Sequence, residues 1–450
     1  MSHLAPATGV GTGLTPPDKL PMRPLGHHLA LTVYWLGNTL MWGALLHMGL
    51  QSRLGHWYPE GRVGYYLGLI GFAGGVVGTA AQIISGAFSD RSLHGWGRRR
   101  PFVLIGSVGA VVGLLLLGGA RSFWPFAGAM LLVQLWSNIA LGPFTALLPD
   151  TVNPRQHGLS SGFMGVARLL GDVGGLLLAG WLLSETLAMS HAGPAASRHF
   201  SDQRMLLLCA LLAAGVAIGA AYTCLGIGET KLLRRPQASV KDIIVGSFAL
   251  DVRANQDFCW LSVSRAVTNV GFYMFLGVLL YFLKYTLHSR NPEHDNMMVM
   301  LPAIGAAAVA SLPSGLLSDR IGRRPMVFAA QFIMAGAAAL FACAHGMTLA
   351  YVAAIPAGLA YGVFTSVEWA FACNLLPAGE SARYLGLWNA SAVVPQLLAI
   401  PLAGALGSAI SARHPGVGWR VDFAIAAFCC LLGAYFLRHV HERFAAPPAK

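Results

Sequence analysis

Long apolar stretches, separated by short polar segments, repeat along almost the whole 450-residue chain. A helix that spans a bilayer needs about 20 mostly apolar residues, and twelve stretches meet that length. They are residues 28–50, 64–88, 102–120, 124–148, 159–183, 204–226, 258–284, 297–317, 326–345, 349–376, 384–411 and 418–438. The pattern predicts an all-α membrane protein with twelve transmembrane helices.

The composition agrees with a chain that lies mostly in lipid. Hydrophobic residues make up 55% of the sequence and charged residues only 11%, against about 25% charged residues in an average soluble protein. The net charge is +12, but the basic residues lie in short clusters between apolar stretches. A nucleic-acid surface would need a hydrophilic domain to present them. We therefore expect a lipid bilayer around the protein and no nucleic-acid partner.

The positions of the lysines and arginines predict the orientation and the division of the chain. If the N-terminus is inside, most of them fall in loops and tails on the inner side, as membrane orientation requires. This predicts an inner or plasma membrane protein with both termini in the cytoplasm. We expect a tail at 1–27, a six-helix bundle at 28–226, a basic linker at 227–257, a second six-helix bundle at 258–440 and a tail at 441–450.

A repeated motif supports two related halves. Asp90-Arg91 follows the second apolar stretch and Asp319-Arg320 follows the eighth, 229 positions later. The first pair is followed by Gly97-Arg98-Arg99-Arg100-Pro101, and the second by Gly322-Arg323-Arg324-Pro325. Because Gly, Asp, Arg and Pro recur in the same order, two unrelated basic stop signals explain the pattern less well. Repeated halves are typical of secondary transporters.

At these residues the chain resembles the major facilitator superfamily, in which a G-x-x-x-D-R…G-R-R loop follows the second helix and is echoed after the eighth. The long first loop, with its ending Arg98-Arg99-Arg100-Pro101-Phe102, is similar to that of the sucrose/proton symporters in the glycoside–pentoside–hexuronide group. Residues 142–150 resemble the end of the same group's fourth helix, and residues 385–389, followed by Pro395-Gln396, resemble its eleventh helix. The resemblance implies two six-helix bundles and a sugar-transporting branch of the superfamily.

One departure from the resemblance concerns proton coupling. Plant sucrose symporters carry an aspartate in the fourth helix, eight residues before a Gly-Pro pair, and this chain has Gln134 at that position. Glutamine does not change charge. If transport is coupled to protons, another group must titrate.

The resemblance also implies that the two loops latch the cytoplasmic side. Asp90 ends a helix, and an anion at a helix C-terminus opposes the helix dipole, so it needs a nearby arginine or the N-terminus of another helix. The alternative is that the loops only anchor the orientation. The predicted cytoplasmic gate comprises Asp90, Arg91, Arg98, Arg99, Arg100, Asp319, Arg320, Arg323 and Arg324.

Four charged residues inside predicted helices are candidates for coupling. Arg168 and Asp172 lie four positions apart, so they share a helix face. They form either a self-neutralised structural pair or a pair in which Asp172 takes up a proton or another cation and Arg168 contacts the substrate. Glu368 is the second candidate proton carrier, because burial favours its neutral form; the alternative is that it pairs with Arg265. The choice between Asp172 and Glu368 stays open.

Uncharged polar residues inside the apolar stretches are candidates for the substrate site. Amide groups and tyrosine hydroxyls suit sugar hydroxyls, and helix packing is the alternative for each. The predicted substrate-binding residues are Asn38, Gln134, Asn138, Asn269, Tyr273, Asn389 and Gln396.

The chain carries no phosphate-binding loop, nucleophile elbow or zinc-binding spacing. We therefore expect neither an enzyme nor a cofactor or metal site. The leading hypothesis is a monomeric secondary transporter that takes up a sugar or glycoside with protons by alternating access. Two alternatives remain: an exporter or exchanger of another small molecule on the same fold, and a non-transporting assembly factor.

Overall fold

The computed structural model describes residues 19–58, 60–188, 194–229, 243, 246, 250–290, 292–377, 379–414 and 416–442. Within these ranges the regular secondary structure is helical and no residue lies in a strand, so the predicted all-α class is confirmed. The start of the predicted N-terminal tail, most of the predicted linker at 227–257 and the end of the C-terminal tail lie outside the described residues.

Fourteen α-helices lie in the described part of the chain. The first eight are α1 (Leu25–Ala44), α2 (Leu50–Trp57), α3 (Glu60–Asp90), α4 (Arg100–Gly119), α5 (Phe123–Thr145), α6 (Leu147–Thr151), α7 (His157–Ala188) and α8 (Pro194–Gly226). The other six are α9 (Gln256–Tyr285), α10 (Pro292–Ile321), α11 (Arg323–Ala342), α12 (Met347–Asn374), α13 (Ser381–Ser411) and α14 (Val417–Leu437). A π-helical turn, Leu45–Gly49, joins α1 to α2.

Eleven helical segments of the described ranges are long and apolar enough to cross a membrane, and they correspond to the second to twelfth predicted stretches. The first predicted stretch is α1, which continues through the π-helical turn into α2. Some helices are longer than predicted: α3 begins at Glu60 rather than at residue 64, and α8 begins at Pro194 rather than at residue 204. Helical hydrogen bonding continues there past the apolar residues on which the prediction rests.

Proline explains the break at the end of the fourth predicted stretch. α5 ends at Thr145 and α6 begins at Leu147, so Pro149 of α6 lies four residues after the last residue of α5. Proline has no N–H to donate and clashes with the preceding turn, so it kinks or ends a helix. The short helix α6 places Asp150 at the end of this span.

The chain divides into two compact units. The first comprises Met1–Pro154, Ala167–Ala249 and Pro377–Gly386, and the second comprises Arg155–Val166, Leu250–Leu376 and Leu387–Lys450. Two helices therefore change unit along their length. α7 begins in the second unit and continues in the first, whereas α13 begins in the first and continues in the second.

Each unit has its own apolar core. In the first unit, Leu114 and Phe126 are fully buried in a cluster with residues of α1, α7 and α8. In the second unit, Phe341 and Phe423 are fully buried with ring centroids 5.3 Å apart. Because apolar side chains gain little by leaving lipid for a protein core, close packing rather than the hydrophobic effect must hold such helices together.

Candidate functional site

The first Asp-Arg loop forms a buried network of charged groups. Arg99 is fully buried, and its Nη2 lies 2.5 Å from Oδ1 of Asp90 and 2.9 Å from Oδ2 of Asp150. Nη2 of Arg98 lies 2.7 Å from the same Asp150 oxygen. Burial alone would lower the pKa of Arg99, but Asp150 and Asp90 raise it above its ordinary value. The loop therefore holds a permanent positive charge between two carboxylates.

Asp90 also binds the beginning of α13. Its Oδ1 and Oδ2 accept hydrogen bonds from the backbone N–H groups of Ala382, at 3.3 Å, and Arg383, at 3.0 Å. These groups belong to the first turn of a helix, where N–H groups lack partners within the helix and negative charge is favourable. The sequence predicted either an arginine or a helix N-terminus as the partner of Asp90. The structure supplies both.

Asp150 connects the arginines to the same helix end. Its Oδ1 accepts a hydrogen bond of 3.0 Å from the hydroxyl of Ser381, the first residue of α13. Arg91 lies at the edge of the network, where Nη1 donates to the carbonyl oxygen of Ala87 at 3.0 Å and Nη2 lies 3.8 Å from Oε1 of Glu380. The side chain of Arg100 packs on the ring of Trp96 instead.

The second Asp-Arg loop repeats this arrangement in the second unit. Nη2 of Arg323 lies 2.7 Å from Oδ1 of Asp319. The two carboxylate oxygens of Asp319 accept hydrogen bonds of 3.0 Å from the backbone N–H groups of Gly158 and Leu159, in the first turn of α7. Of the other predicted gate residues, Arg324 donates to the carbonyl oxygen of Arg438 at 2.8 Å. Arg320 is exposed.

One glutamate in each unit binds the first turn of the helix that follows the Asp-Arg loop, and neither glutamate was predicted from the sequence. Oε2 and Oε1 of Glu229 accept hydrogen bonds from the backbone N–H groups of Arg99, at 2.8 Å, and Arg100, at 2.9 Å. Glu442 accepts the corresponding bonds from Arg323, at 2.7 Å, and Arg324, at 2.9 Å. Each glutamate thus satisfies the free N–H groups at a helix N-terminus.

The glycines of the two motifs make room for these carboxylates. Gly97 has a φ of +119° and Gly322 a φ of +96°, a region that glycine adopts with no steric penalty. A Cβ on Gly97 would lie 2.8 Å from Oε1 of Glu229, and a Cβ on Gly322 would lie 3.1 Å from Oε2 of Glu442. Burial raises the pKa of Glu229, and the backbone donors of Arg99 and Arg100 oppose that rise.

A constant offset in the sequence relates four further residues of the two networks, Asp150, His157, Asn374 and Ser381, which the sequence analysis did not include among the gate residues. Asn374 lies 224 positions after Asp150, and Ser381 lies 224 positions after His157. The structure pairs them across the repeat: Asp150 binds Ser381 in the first unit, and Nδ1 of His157 lies 2.7 Å from Oδ1 of Asn374 in the second. The repeat therefore extends beyond the basic motif on which the sequence analysis relied.

The predicted coupling residues of the second unit lie together. Nη1 of Arg265 lies 3.4 Å from Oε1 of Glu368, and both side chains are buried. The guanidinium carbon of Arg265 also lies 4.2 Å from the ring centroid of Trp388. The pairing that the sequence analysis gave as an alternative for Glu368 is therefore present in this conformation.

Two buried hydrogen-bond donors are unused, one on the helix of Arg265 and one on the ring that Arg265 contacts. Nδ2 of Asn269, one helical turn after Arg265, and Nε1 of Trp388 are buried and have no hydrogen-bond partner among the described residues. A buried donor without an acceptor costs about 1–3 kcal/mol. The second unit thus contains polar groups that a ligand with acceptor oxygens would satisfy.

The remaining predicted residues are placed as follows. In the first unit, Nδ2 of Asn138 donates to the carbonyl oxygen of Gln134 at 2.8 Å and lies 3.3 Å from its side-chain oxygen. The guanidinium carbon of Arg168 lies 5.9 Å from the ring centroid of Trp35. Asn38 is buried, Asp172, Tyr273 and Asn389 are half-buried, and Gln396 is exposed.

Solved structures share this architecture over most of the chain. The fucose:proton symporter of E. coli superimposes with a TM-score of 0.70 at 13% identity, covering 92% of this chain and 98% of that chain. The human organic anion transporter MFSD10 superimposes with a TM-score of 0.66 at 17% identity, covering 92% of this chain and all of the other. The fold is that of the major facilitator superfamily. In agreement, residues 261–450 match the sequence model described as Major Facilitator Superfamily.

Curated proteins with similar sequences match shorter segments. A general alpha-glucoside permease of Schizosaccharomyces pombe is 28% identical over 177 residues, which are 36% of this chain and 31% of that protein. A class C tetracycline resistance protein of Escherichia coli is 29% identical over 174 residues, which are 38% of this chain and 42% of that protein. The human proton-associated sugar transporter A is 38% identical over 77 residues, 17% of this chain and 9% of that protein. The matched segments therefore cover less than half the length of each of these three relatives. Its apolar helices and its fold together make the chain a multi-pass membrane protein with a major facilitator fold.

Proposed function

We propose that this protein is a secondary active transporter that moves a sugar or glycoside together with protons by alternating access. The observation that carries this proposal is the buried pair of Arg265 and Glu368, beside which Trp388 and Asn269 keep unused donors. Ionisable side chains inside membrane-spanning helices are expensive and usually mark a substrate or ion pathway.

The unused donors suit a ligand rich in hydroxyl groups. Sugar hydroxyl oxygens accept hydrogen bonds, and a carbonyl or carboxylate partner for Asn269 or Trp388 is missing among the described residues. Two of the three curated relatives named above are sugar transporters by name. Both observations support a sugar as the substrate class.

Glu368 carries the coupling proton in this proposal. While Glu368 is ionised, it neutralises Arg265 at 3.4 Å. Protonation of the carboxylate removes that attraction and frees the guanidinium group for substrate oxygens. Asp172 with Arg168, in the first unit, is the competing candidate.

The two Asp-Arg loops act as cytoplasmic latches in this proposal. Asp90 holds the first turn of α13, and Asp319 holds the first turn of α7. Both helices continue into the other unit, and in this proposal each carboxylate releases its helix when the cytoplasmic side opens. The proposal places both termini in the cytoplasm of an inner or plasma membrane and the transporter in the lipid bilayer as a monomer.

Export of another small molecule is the second candidate function. The match to a tetracycline resistance protein covers 174 residues, about as many as the match to the alpha-glucoside permease. The direction of proton-driven movement separates the two functions, because import and export respond to opposite pH gradients.

Uptake into proteoliposomes with an imposed pH gradient tests the proposal. The full chain should accumulate at least one glycoside when the outside is acidic. Glu368→Gln should abolish this accumulation but should still exchange glycoside across the membrane when the pH is the same on both sides. Asp172→Asn is the matched control and should retain accumulation. Loss in Asp172→Asn alone would make Asp172 the proton carrier. If a panel of glycosides gives no gradient-dependent accumulation, sugar symport is wrong, and accumulation of tetracycline with the outside alkaline would establish export.

A further inference from the structure

One buried aspartate of the second unit takes no part in the site described above. Asp422 lies in α14, five residues after Val417, and its side chain is 0% exposed. Neither carboxylate oxygen has a hydrogen-bond partner in the part of the chain that the structure describes. Buried charged groups are almost always paired, because an isolated ionised carboxylate is very unstable away from water.

The surroundings of Asp422 are tightly packed. A Cβ on Gly407 of α13 would clash with Oδ2 of Asp422 and with the ring of Trp419. The backbone of α13 is equally close to Gly418 of α14, where a Cβ would clash with the carbonyl oxygen of Gly407 and would lie 2.6 Å from the hydroxyl of Ser411. That hydroxyl is also buried without a partner among the described residues. The close approach leaves no room for a metal cation with a full shell of ligands, whereas a proton needs none.

Charged groups described at this end of the unit either contact other groups or are exposed. Arg420, on α14 itself, donates to the carbonyl oxygen of Ala342 at 2.7 Å, and its guanidinium group lies over the ring of Phe282. On the elements packed around this end, the other titratable groups are Tyr281, Lys284 and Tyr285 of α9, Cys343 after α11, and Arg413 and His414 at the end of α13. Further along the same end, His288, Arg290 and His345 are exposed, and Asp295 accepts hydrogen bonds from Ser289 and Tyr351. Tyr281 and Tyr285 stack on Trp419, Lys284 lies over the ring of Tyr285, and Cys343, Arg413 and His414 are exposed.

We propose that Asp422 is a proton-binding site, which holds its proton while α13 packs against α14 at Gly407 and loses it when the two helices separate. The packing excludes water and other partners, so the carboxyl group must be neutral in this conformation. Proton binding and helix packing are then linked, and each stabilises the other.

α13 contains the flexibility that such a release needs. Pro395 and Pro401 lie inside the helix before Gly407. Each proline removes a helical hydrogen bond and favours a kink, so the segment after Pro401 can tilt away from α14. Asp422 lies about 8 Å along the helix axis from Val417 at 1.5 Å per residue. On the orientation proposed above, a tilt would admit water from the extracellular side.

Infrared spectroscopy of the full chain in lipid vesicles tests the proton site directly. The C=O stretching band of a protonated carboxylic acid, which shifts in heavy water, should be present at neutral pH and reduced in Asp422→Asn. Asp257→Asn, which changes an aspartate paired with His441 at the other end of the unit, is the matched control and should leave the band intact. An identical band in wild type and Asp422→Asn would overturn the proposal.

Thermal unfolding provides a second readout if Asp422→Asn folds poorly. The melting temperature of the wild type should fall with rising pH relative to that of Asp422→Leu, because only the wild type must keep a proton to remain packed. Parallel pH profiles would contradict the proposal. The proton site rests on the proposed function only for its place in transport: if the band is present but no substrate follows a pH gradient, the proposed function fails and the proton site stands.

Discussion

The two Asp-Arg loops have the same geometry but not the same charges. In each loop an aspartate binds an arginine and the first turn of a second helix, and a glutamate binds the first turn of the helix that follows. The first loop adds a third carboxylate, Asp150, whereas the second has the neutral Asn374 at the corresponding position. Accordingly, Ser381 binds a carboxylate, and His157 binds an amide oxygen.

This difference distinguishes the contacts that both Asp-Arg loops share from the contacts that only the first loop has. The bond from the aspartate to a helix N-terminus is common to both loops, so it is the shared element. The additional carboxylate accompanies the additional arginine: Arg98 and Arg99 both contact Asp150. The first loop therefore depends more on charge, and the second depends more on backbone hydrogen bonds.

The largest effect is expected when both carboxylates are removed from Arg99. The double change Asp90→Asn with Asp150→Asn leaves a fully buried guanidinium group between neutral side chains. Breaking a buried ion pair on one side costs about 3–5 kcal/mol, so the free energy of unfolding should fall by about that amount. Chemical denaturation in detergent micelles measures it.

Arg320→Gln is the control for that experiment. It removes an arginine from the second loop, but one that is exposed, and surface substitutions usually change stability by less than about 0.5 kcal/mol. A double variant as stable as the control would show that the charges of the first loop do not hold it together.

A smaller effect is expected when the two loops are made alike. Asp150→Asn gives the first loop the neutral side chain of the second, and Arg99 keeps Asp90 as a partner. We expect the free energy of unfolding to fall by about 1–3 kcal/mol, the cost of leaving a buried polar group without a hydrogen-bond partner. The same denaturation experiment measures it.

The reciprocal change, Asn374→Asp, sharpens this prediction. It places a carboxylate beside His157, where the amide oxygen now lies 2.7 Å from Nδ1. The variant should be stabilised relative to wild type at a pH low enough to protonate His157, because opposite charges then attract. An equal cost for Asp150→Asn and Asn374→Asp at low pH would show that the loops do not differ in their use of charge.

The smallest effect concerns the two glutamates. Glu229→Gln and Glu442→Gln should each cost about 1 kcal/mol at neutral pH, as for other helix caps, because an amide accepts with one oxygen where a carboxylate accepts with two. The bonds have similar lengths, 2.7–2.9 Å, so the two variants should lose similar amounts. A cost in one variant and none in the other would contradict the equivalence of the two caps.

The pH dependence of Glu229→Gln adds a second test. Burial raises the pKa of Glu229 in the folded state, so the folded chain binds this proton more tightly than the unfolded chain. The resulting stability is full below the ordinary glutamate value of about 4.3 and is lost as the pH rises through the raised pKa. Glu229→Gln should therefore flatten the fall in melting temperature above that pH. An unchanged slope would show that Glu229 is as acidic in the folded state as in the unfolded chain.

The fold could be predicted from the sequence because membrane-spanning helices are recognisable by their length and their apolar composition. The predicted stretch at 258–284, for example, matches α9 at Gln256–Tyr285 within a few residues. The two loops were found because their arginines are clustered and repeated. The kind of partner that Asp90 needs also followed from the dipole of its own helix.

The identity of most partners could not be predicted because they are distant in the chain. Nothing in the sequence around Asp90 indicates Ala382, nearly three hundred positions later. Glu229 and Glu442 follow the ends of apolar stretches, where a single acid resembles an ordinary loop charge. Asp422 lies in a stretch that was predicted to span the membrane because most of its residues are apolar. That its carboxylate has no hydrogen-bond partner among the described residues depends on how two helices pack, which no local sequence pattern indicates.

The exchange of helix ends between the units has a consequence for the order of folding during synthesis. Asp90 is made early, but the N–H groups that it binds, at Ala382 and Arg383, are made after most of the chain has emerged. Domains usually fold as units, starting from the N-terminus as the chain is made. Here the first unit includes Pro377–Gly386, so a nascent chain that stops before these residues lacks part of its first unit, and the first unit is completed only when α13 has begun.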